Sequence, residues 1–125
     1  MRNLALVAAL AALTVLPLPA QAAGGAPTKV GQCVATKINE LATRLEGVPD
    51  SGSVVVYTNS IVGMSYDTIK AVTKARVGDK ITLCLTSIPK GCPPGDDRGK
   101  FYSAVDLRTH GKWTLPDAEH MCGGA

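Results

Sequence analysis

The sequence predicts an all-β domain, a small disulfide-stapled β-barrel or rolled antiparallel sheet with at most one or two short helices. Three observations lead there. Period-two alternation of apolar and polar residues is the commoner pattern along the chain, and it lines the two faces of a strand. The whole aromatic complement, Tyr57, Tyr66, Phe101, Tyr102 and Trp113, falls on the alternating segments, where aromatic side chains suit a pleated surface. Finally, the chain carries 4 cysteines behind an export leader, so covalent staples are expected in a core of modest size.

The leader comes first. Met1-Arg2 gives a positive start, Leu4 to Leu16 is apolar apart from Thr14, and Ala20-Gln21-Ala22 is the small-x-small pattern that a signal peptidase cleaves. The apolar run is too short to span a bilayer, and Cys33, the first cysteine, does not sit at the cleavage point where a lipid anchor would need it. Residues 1–22 therefore read as a cleaved signal peptide and 23–125 as a single small mainly-β domain, periplasmic or secreted, with neither a membrane span nor a lipid anchor.

Within the domain, Val34, Ile38, Leu41 and Leu45 recur at helical spacing, yet the stretch is rich in Thr and β-branched residues. Both a helix and a long bent first strand remain open for 33–45. The clearest unit follows. Ser53 to Thr58, Asn59-Ser60, and Ile61 to Tyr66 read as a hairpin with a two-residue turn, pairing Tyr57 with Val62, Val55 with Met64 and Ser53 with Tyr66 on one face, which reads as core. Asp67 is placed to cap a short helix running to Ala75. Lys80 to Ile88 is a strand with Ile81, Leu83 and Leu85 on one face, opened by Gly78-Asp79 and ended by Pro89. Phe101 to Leu107 is another, turned by Thr109-His110-Gly111 into a short partner from Lys112 to Leu115, and Leu115 to His120 reads as a final helical turn.

Four cysteines allow three pairings. Cys84 and Cys92 are close enough in sequence to close a local loop, which leaves Cys33–Cys122 to join the ends of the domain. By the chain-entropy model these bridges contribute about 2.5 and about 4.5 kcal/mol. There is no Cys-x-x-Cys, haem-attachment or zinc-type pattern, so no cofactor is expected. Losing Arg2 with the leader lowers the net charge from +3 to +2, too balanced to indicate nucleic acid.

Function is expected in the segment Cys92-Pro93-Pro94-Gly95-Asp96-Asp97-Arg98-Gly99-Lys100. Proline and glycine fix its shape, and Asp96, Asp97 and Arg98 stand at its tip. Adjacent carboxylates usually point apart, which argues against Asp96 and Asp97 as an acid–base pair. Neither a nucleophile elbow nor a phosphate-cradling loop occurs. The enzymatic alternative is a small hydrolase using Asp96, Asp97, Asp117 and His120. A second alternative is a copper protein, because His120-Met121-Cys122 places three soft ligands together.

The CPPGDDRG segment (92–99), Leu107-Arg108-Thr109, Trp113 to Asp117 and the ending Cys122-Gly123-Gly124-Ala125 resemble small exported bacterial proteins of uncharacterised function. Ser51-Gly52 and Tyr57 are similar, at a different spacing, to the loop that periplasmic lysozyme inhibitors insert into the lysozyme cleft. The second resemblance implies recognition residues at Ser51 and Tyr57, in addition to Asp96, Asp97 and Arg98 of the 92–100 loop; the first implies no activity. The expectation is a non-enzymatic, inhibitor-like binding protein of the bacterial envelope, with no metal or cofactor, whose partner is another envelope protein or a glycan.

Overall fold

The computed structural model describes residues 11–16 and 25–124. The cleavage site expected at Ala22 and most of the expected leader lie outside them; residues 11–16 are exposed and form no regular structure. The fold is mainly β, a six-stranded antiparallel sheet rolled into a half-barrel. Its strands are β1 (Cys33–Ala42), β2 (Ser53–Tyr57), β3 (Val62–Ser65), β4 (Lys80–Ser87), β5 (Phe101–Asp106) and β6 (Lys112–Pro116), in the order β3-β2-β1-β4-β5-β6. One short helix, α1 (Lys70–Thr73), joins β3 to β4.

β1 settles the open assignment as a long bent strand shared by two ladders. Its first half pairs with β4, from Cys33 opposite Cys84 to Lys37 opposite Lys80, and its second half pairs with β2. A register shift between Ile38 and Glu40 separates the halves. An extra residue there moves the inward side chains from Val34, Thr36 and Ile38 to Leu41, and this insertion in a period-two strand mimics helical spacing.

The inward faces supply the core: Ile38, Val55, Tyr57, Ile81, Leu83, Leu85, Tyr102, Ala104, Trp113 and Leu115, with Val72 of α1 and Ala75 closing one end. Rolling brings the outer strands β3 and β6 together through side chains instead of a ladder. The indole Nε1 of Trp113 donates to the Tyr57 hydroxyl at 2.8 Å. Gly63 of β3 lies against Leu115 of β6, where a Cβ would stand only 3.2 Å from the leucine. At the start of β2, Gly52 adopts φ 124° and a Cβ would run into the Ser65 carbonyl oxygen, so this corner requires glycine.

The hairpin register differs from the expected one. Ser60 takes the left-handed conformation (φ 70°), its amide donates to Tyr57 O at 3.0 Å, and the Tyr57 amide donates to Ile61 O at 2.9 Å. The loop thus has three residues, a turn followed by a left-handed position. Val55 consequently faces Gly63, Val54 faces Met64 and Ser53 faces Ser65, and Tyr66 leaves the core side for solvent. The helix also departs from expectation: Asp67 does not cap it, since α1 starts after Ile69, whose amide donates to Ser53 Oγ at 2.9 Å. No helical turn follows Leu115, because β6 continues through Pro116 and residues 117–120 form bends.

Both expected disulfides are replaced. The bridges are Cys33–Cys84 and Cys92–Cys122. Short separation favoured Cys84–Cys92, but Cys84 points outward from the middle of β4 directly opposite Cys33, with their Cα atoms 4.0 Å apart. The C-terminal segment folds back along the 92–100 loop, where the Cys122 amide donates to Arg98 O at 3.0 Å, and this delivers Cys122 to Cys92.

Candidate functional site

The 92–100 loop owes its shape to the residues that had been expected to bind a partner. A turn closes where the Asp96 amide donates to Pro93 O at 3.0 Å. Arg98 then reaches back to Asp96 as a fork, Nε to Oδ1 and Nη2 to Oδ2, both at 2.9 Å. The same carboxylate accepts the Gly123 amide at 2.9 Å, and Arg98 Nη2 donates to Gly124 O at 3.1 Å. Asp96 and Arg98 therefore clamp the C-terminal segment to the loop, beside the Cys92–Cys122 bridge. The guanidinium of Arg98, helped by the Gly123 amide, holds the Asp96 carboxyl well below the usual carboxylate range. Asp97 alone of the three points outward, its side chain 87% exposed and 3.9 Å from Lys100 Nζ.

The residues of the enzymatic alternative have separate roles. Asp96 serves the clamp, Asp117 Oδ1 accepts the Gly99 amide at 2.7 Å, and His120 is exposed on the last bend. The copper alternative loses its thiolate, because Cys122 is bonded to Cys92, and Met121 packs over Gly99. Among the described residues no group of three His, Cys, Asp or Glu side chains is placed to hold a metal ion.

Tyr57 does not present itself to a partner. It is 2% exposed, and burial pushes its hydroxyl up to about 12 against the opposing effect of the Trp113 hydrogen bond. Ser51 also turns inward: its hydroxyl donates to Val48 O at 2.8 Å and accepts the Leu45 amide at 3.0 Å, pinning the loop between β1 and β2. Its carbonyl, however, accepts Arg44 Nε at 3.0 Å, and that bond leads to a site the sequence reading missed.

Along β3 the inward position is Gly63, so Met64 and Tyr66 lie on the outer side; on β6, Leu115 is inward and Pro116 outward. These outward residues meet at the seam between the sheet's two edges and line a pocket of about 210 Å³ with Arg44 and Glu119. Arg44 lies over the Tyr66 ring, 4.5 Å from its centroid, and its Nη1 is 3.7 Å from Glu119 Oε1. The tyrosine remains 55% exposed. A stacked Arg–Tyr pair beside a methionine and a proline combines a fixed cation, a flat apolar face and adaptable packing, the chemistry of a protein-binding anchor point. The signal that would have found it is the hairpin register, since a three-residue loop turns Tyr66 outward. Comparison with family models, with curated proteins and with solved structures finds no match to this chain.

Proposed function

We propose that this chain is an exported, non-catalytic binding protein of the bacterial envelope, and that it recognises a protein or glycan partner at the β3–β6 seam. The observation that carries this reading is the exposed Tyr66 ring under the Arg44 guanidinium at the mouth of the seam pocket. Arg44 is held on three sides, by Ser51 O, the Tyr66 ring and Glu119, so its ordering cost falls before a partner arrives. Two disulfides and the absence of any long apolar helix among the described residues are compatible with a protein that works outside the cytoplasm. The exposed Asp97 stands on a separate loop and offers a secondary polar contact.

The test is affinity capture from envelope extracts with oxidised protein as bait, beside the Tyr66→Ala and Arg44→Ala variants. The reading requires a stoichiometric partner that wild type retains and that both variants lose by tenfold or more, on the order of a typical interface anchor, with melting temperatures close to wild type. Equal retention by all three baits, or retention of nothing under mild crosslinking, would overturn it.

A further inference from the structure

A different surface has a different chemistry. At the end of the half-barrel formed by the 74–80 segment, the 106–112 turn and the middle of β1, the cations are tied together by the backbone. Lys37 stands directly opposite Lys80 across the β1–β4 ladder. Lys80 O accepts the Leu107 amide at 3.0 Å, Arg108 forks onto Asp79 at 2.7 and 3.0 Å and donates to Lys74 O at 3.0 Å, and the Asp79 amide donates to Arg76 O at 3.1 Å. Lys37, Lys74, Arg76, Lys80, Arg108 and Lys112 are all exposed. The only carboxylates in the two segments are buried, with Asp106 at 0% and Asp79 at 8% exposure. A cross-strand Lys–Lys pair is destabilising in isolation, and among the described residues neither lysine has an ion pair to offset it, the exposed acid on this part of β1 being Glu40.

This cationic end also exposes aliphatic side chains. Val77, in the turn from Arg76 to Asp79, is 64% exposed, and Leu107, beginning the β5–β6 turn, is 52% exposed. Leu107 forms one wall of an open groove of about 600 Å³ whose other walls include Lys37, Lys80, Thr58 and Thr82. Cations alone would suit any polyanion. Apolar side chains in turns, ringed by lysine and arginine, suit a surface that is anionic outside and hydrocarbon just beneath.

From this juxtaposition we infer that the Lys37–Lys80 end docks peripherally on an anionic phospholipid bilayer, with Val77 and Leu107 entering the headgroup region and the surrounding cations pairing with phosphates. Docking there leaves the Tyr66 seam, at the opposite end of β6 from Lys112, outside the contact.

The experiment is co-sedimentation of the purified oxidised protein with phosphatidylcholine vesicles, with and without phosphatidylglycerol, at low and high salt. Binding should require phosphatidylglycerol and weaken with salt. Lys37→Ala with Lys80→Ala should lower partitioning about thirtyfold, at about 1 kcal/mol per cation and 1.4 kcal/mol per tenfold. Val77→Ser with Leu107→Ser keeps every charge and should also release the protein, whereas Tyr66→Ala should not. All these side chains are exposed, and melting curves verify that each variant is folded. Absence of binding to the anionic vesicles would overturn the inference. So would full retention of binding by the serine variant together with equal competition by dextran sulfate, which would identify a soluble polyanion as the partner.

Discussion

The tie between Tyr57 and Trp113 shows how a buried polar atom is tolerated in this core. Both rings come from inward positions, on β2 and β6, and the indole N–H has its partner in the phenol oxygen at 2.8 Å. Removing that oxygen by Tyr57→Phe leaves a buried donor unmatched and should cost about 1–3 kcal/mol, read from denaturant unfolding at neutral pH. The pH dependence has a definite sign. In the folded chain the phenol remains neutral up to about 12, while the unfolded chain ionises at 10.0. The stability this contributes is complete below pH 10.0 and is lost as the pH rises through about 12. Wild type should therefore lose melting temperature more steeply over that alkaline range than Tyr57→Phe; parallel curves would show that the phenol is not desolvated. From sequence, Tyr57 was legible as a residue of the inner hairpin face, but the similarity of Ser51-Gly52 and Tyr57 to an inhibitor loop pointed to the surface instead. Sequence neighbours that look like one motif were divided by the pleat, Ser51 into a loop and Tyr57 into the core.

At the scale of elements, the strands were legible where alternation was regular, as in Lys80 to Ser87 with Ile81, Leu83 and Leu85 all buried. β1 was ambiguous because its bulge breaks that period, and the hairpin register slipped because Ser60 carries a left-handed φ without being asparagine or glycine. The 92–100 loop stood out by its proline, glycine and charge, and Asp96 meets Arg98 within it, but the Gly123 and Gly124 groups that the pair clamps lie more than twenty residues away in the C-terminal segment, beyond any local pattern. Arg44 carries no motif at all; its place over Tyr66 follows from the way the β1–β2 loop packs across the seam. The loop clamp has its own test. Asp96 and Asp79 are both held below the usual carboxylate range, chiefly by Arg98 and Arg108 respectively. Each adds stability that is present above the ordinary carboxyl value of 3.8 and is lost as pH falls below it. Asp96→Asn should start less stable at neutral pH, exchange its Gly123 amide faster, and lose less melting temperature than wild type on acidification to about pH 2. An unchanged exchange rate at Gly123 would mean that the clamp is not what holds the C-terminal segment.

For the whole molecule, the two disulfides do different work. Cys33–Cys84 spans 51 residues and fastens strands that are already paired at the centre of the sheet, while Cys92–Cys122 spans 30 and holds segments with little packing of their own. The chain-entropy terms are close, about 4 and about 3.5 kcal/mol. Their removal should differ in kind: Cys33→Ala with Cys84→Ala lowers the cooperative melting temperature, whereas Cys92→Ala with Cys122→Ala opens the 92–100 loop and the C-terminal segment to protease while the sheet stays folded. Equal proteolysis of the two variants would contradict this division. The connectivity was out of reach of the sequence because it depends on β1 lying beside β4, a long-range fact of strand order that spacing does not contain. That same connectivity joins the first cysteine to the second and the third to the fourth, so neither ring encloses the other. A chain threaded through a translocon amino end first would present each thiol to its native partner before the next one emerged, and a simple oxidase could complete the molecule without an isomerase to correct it.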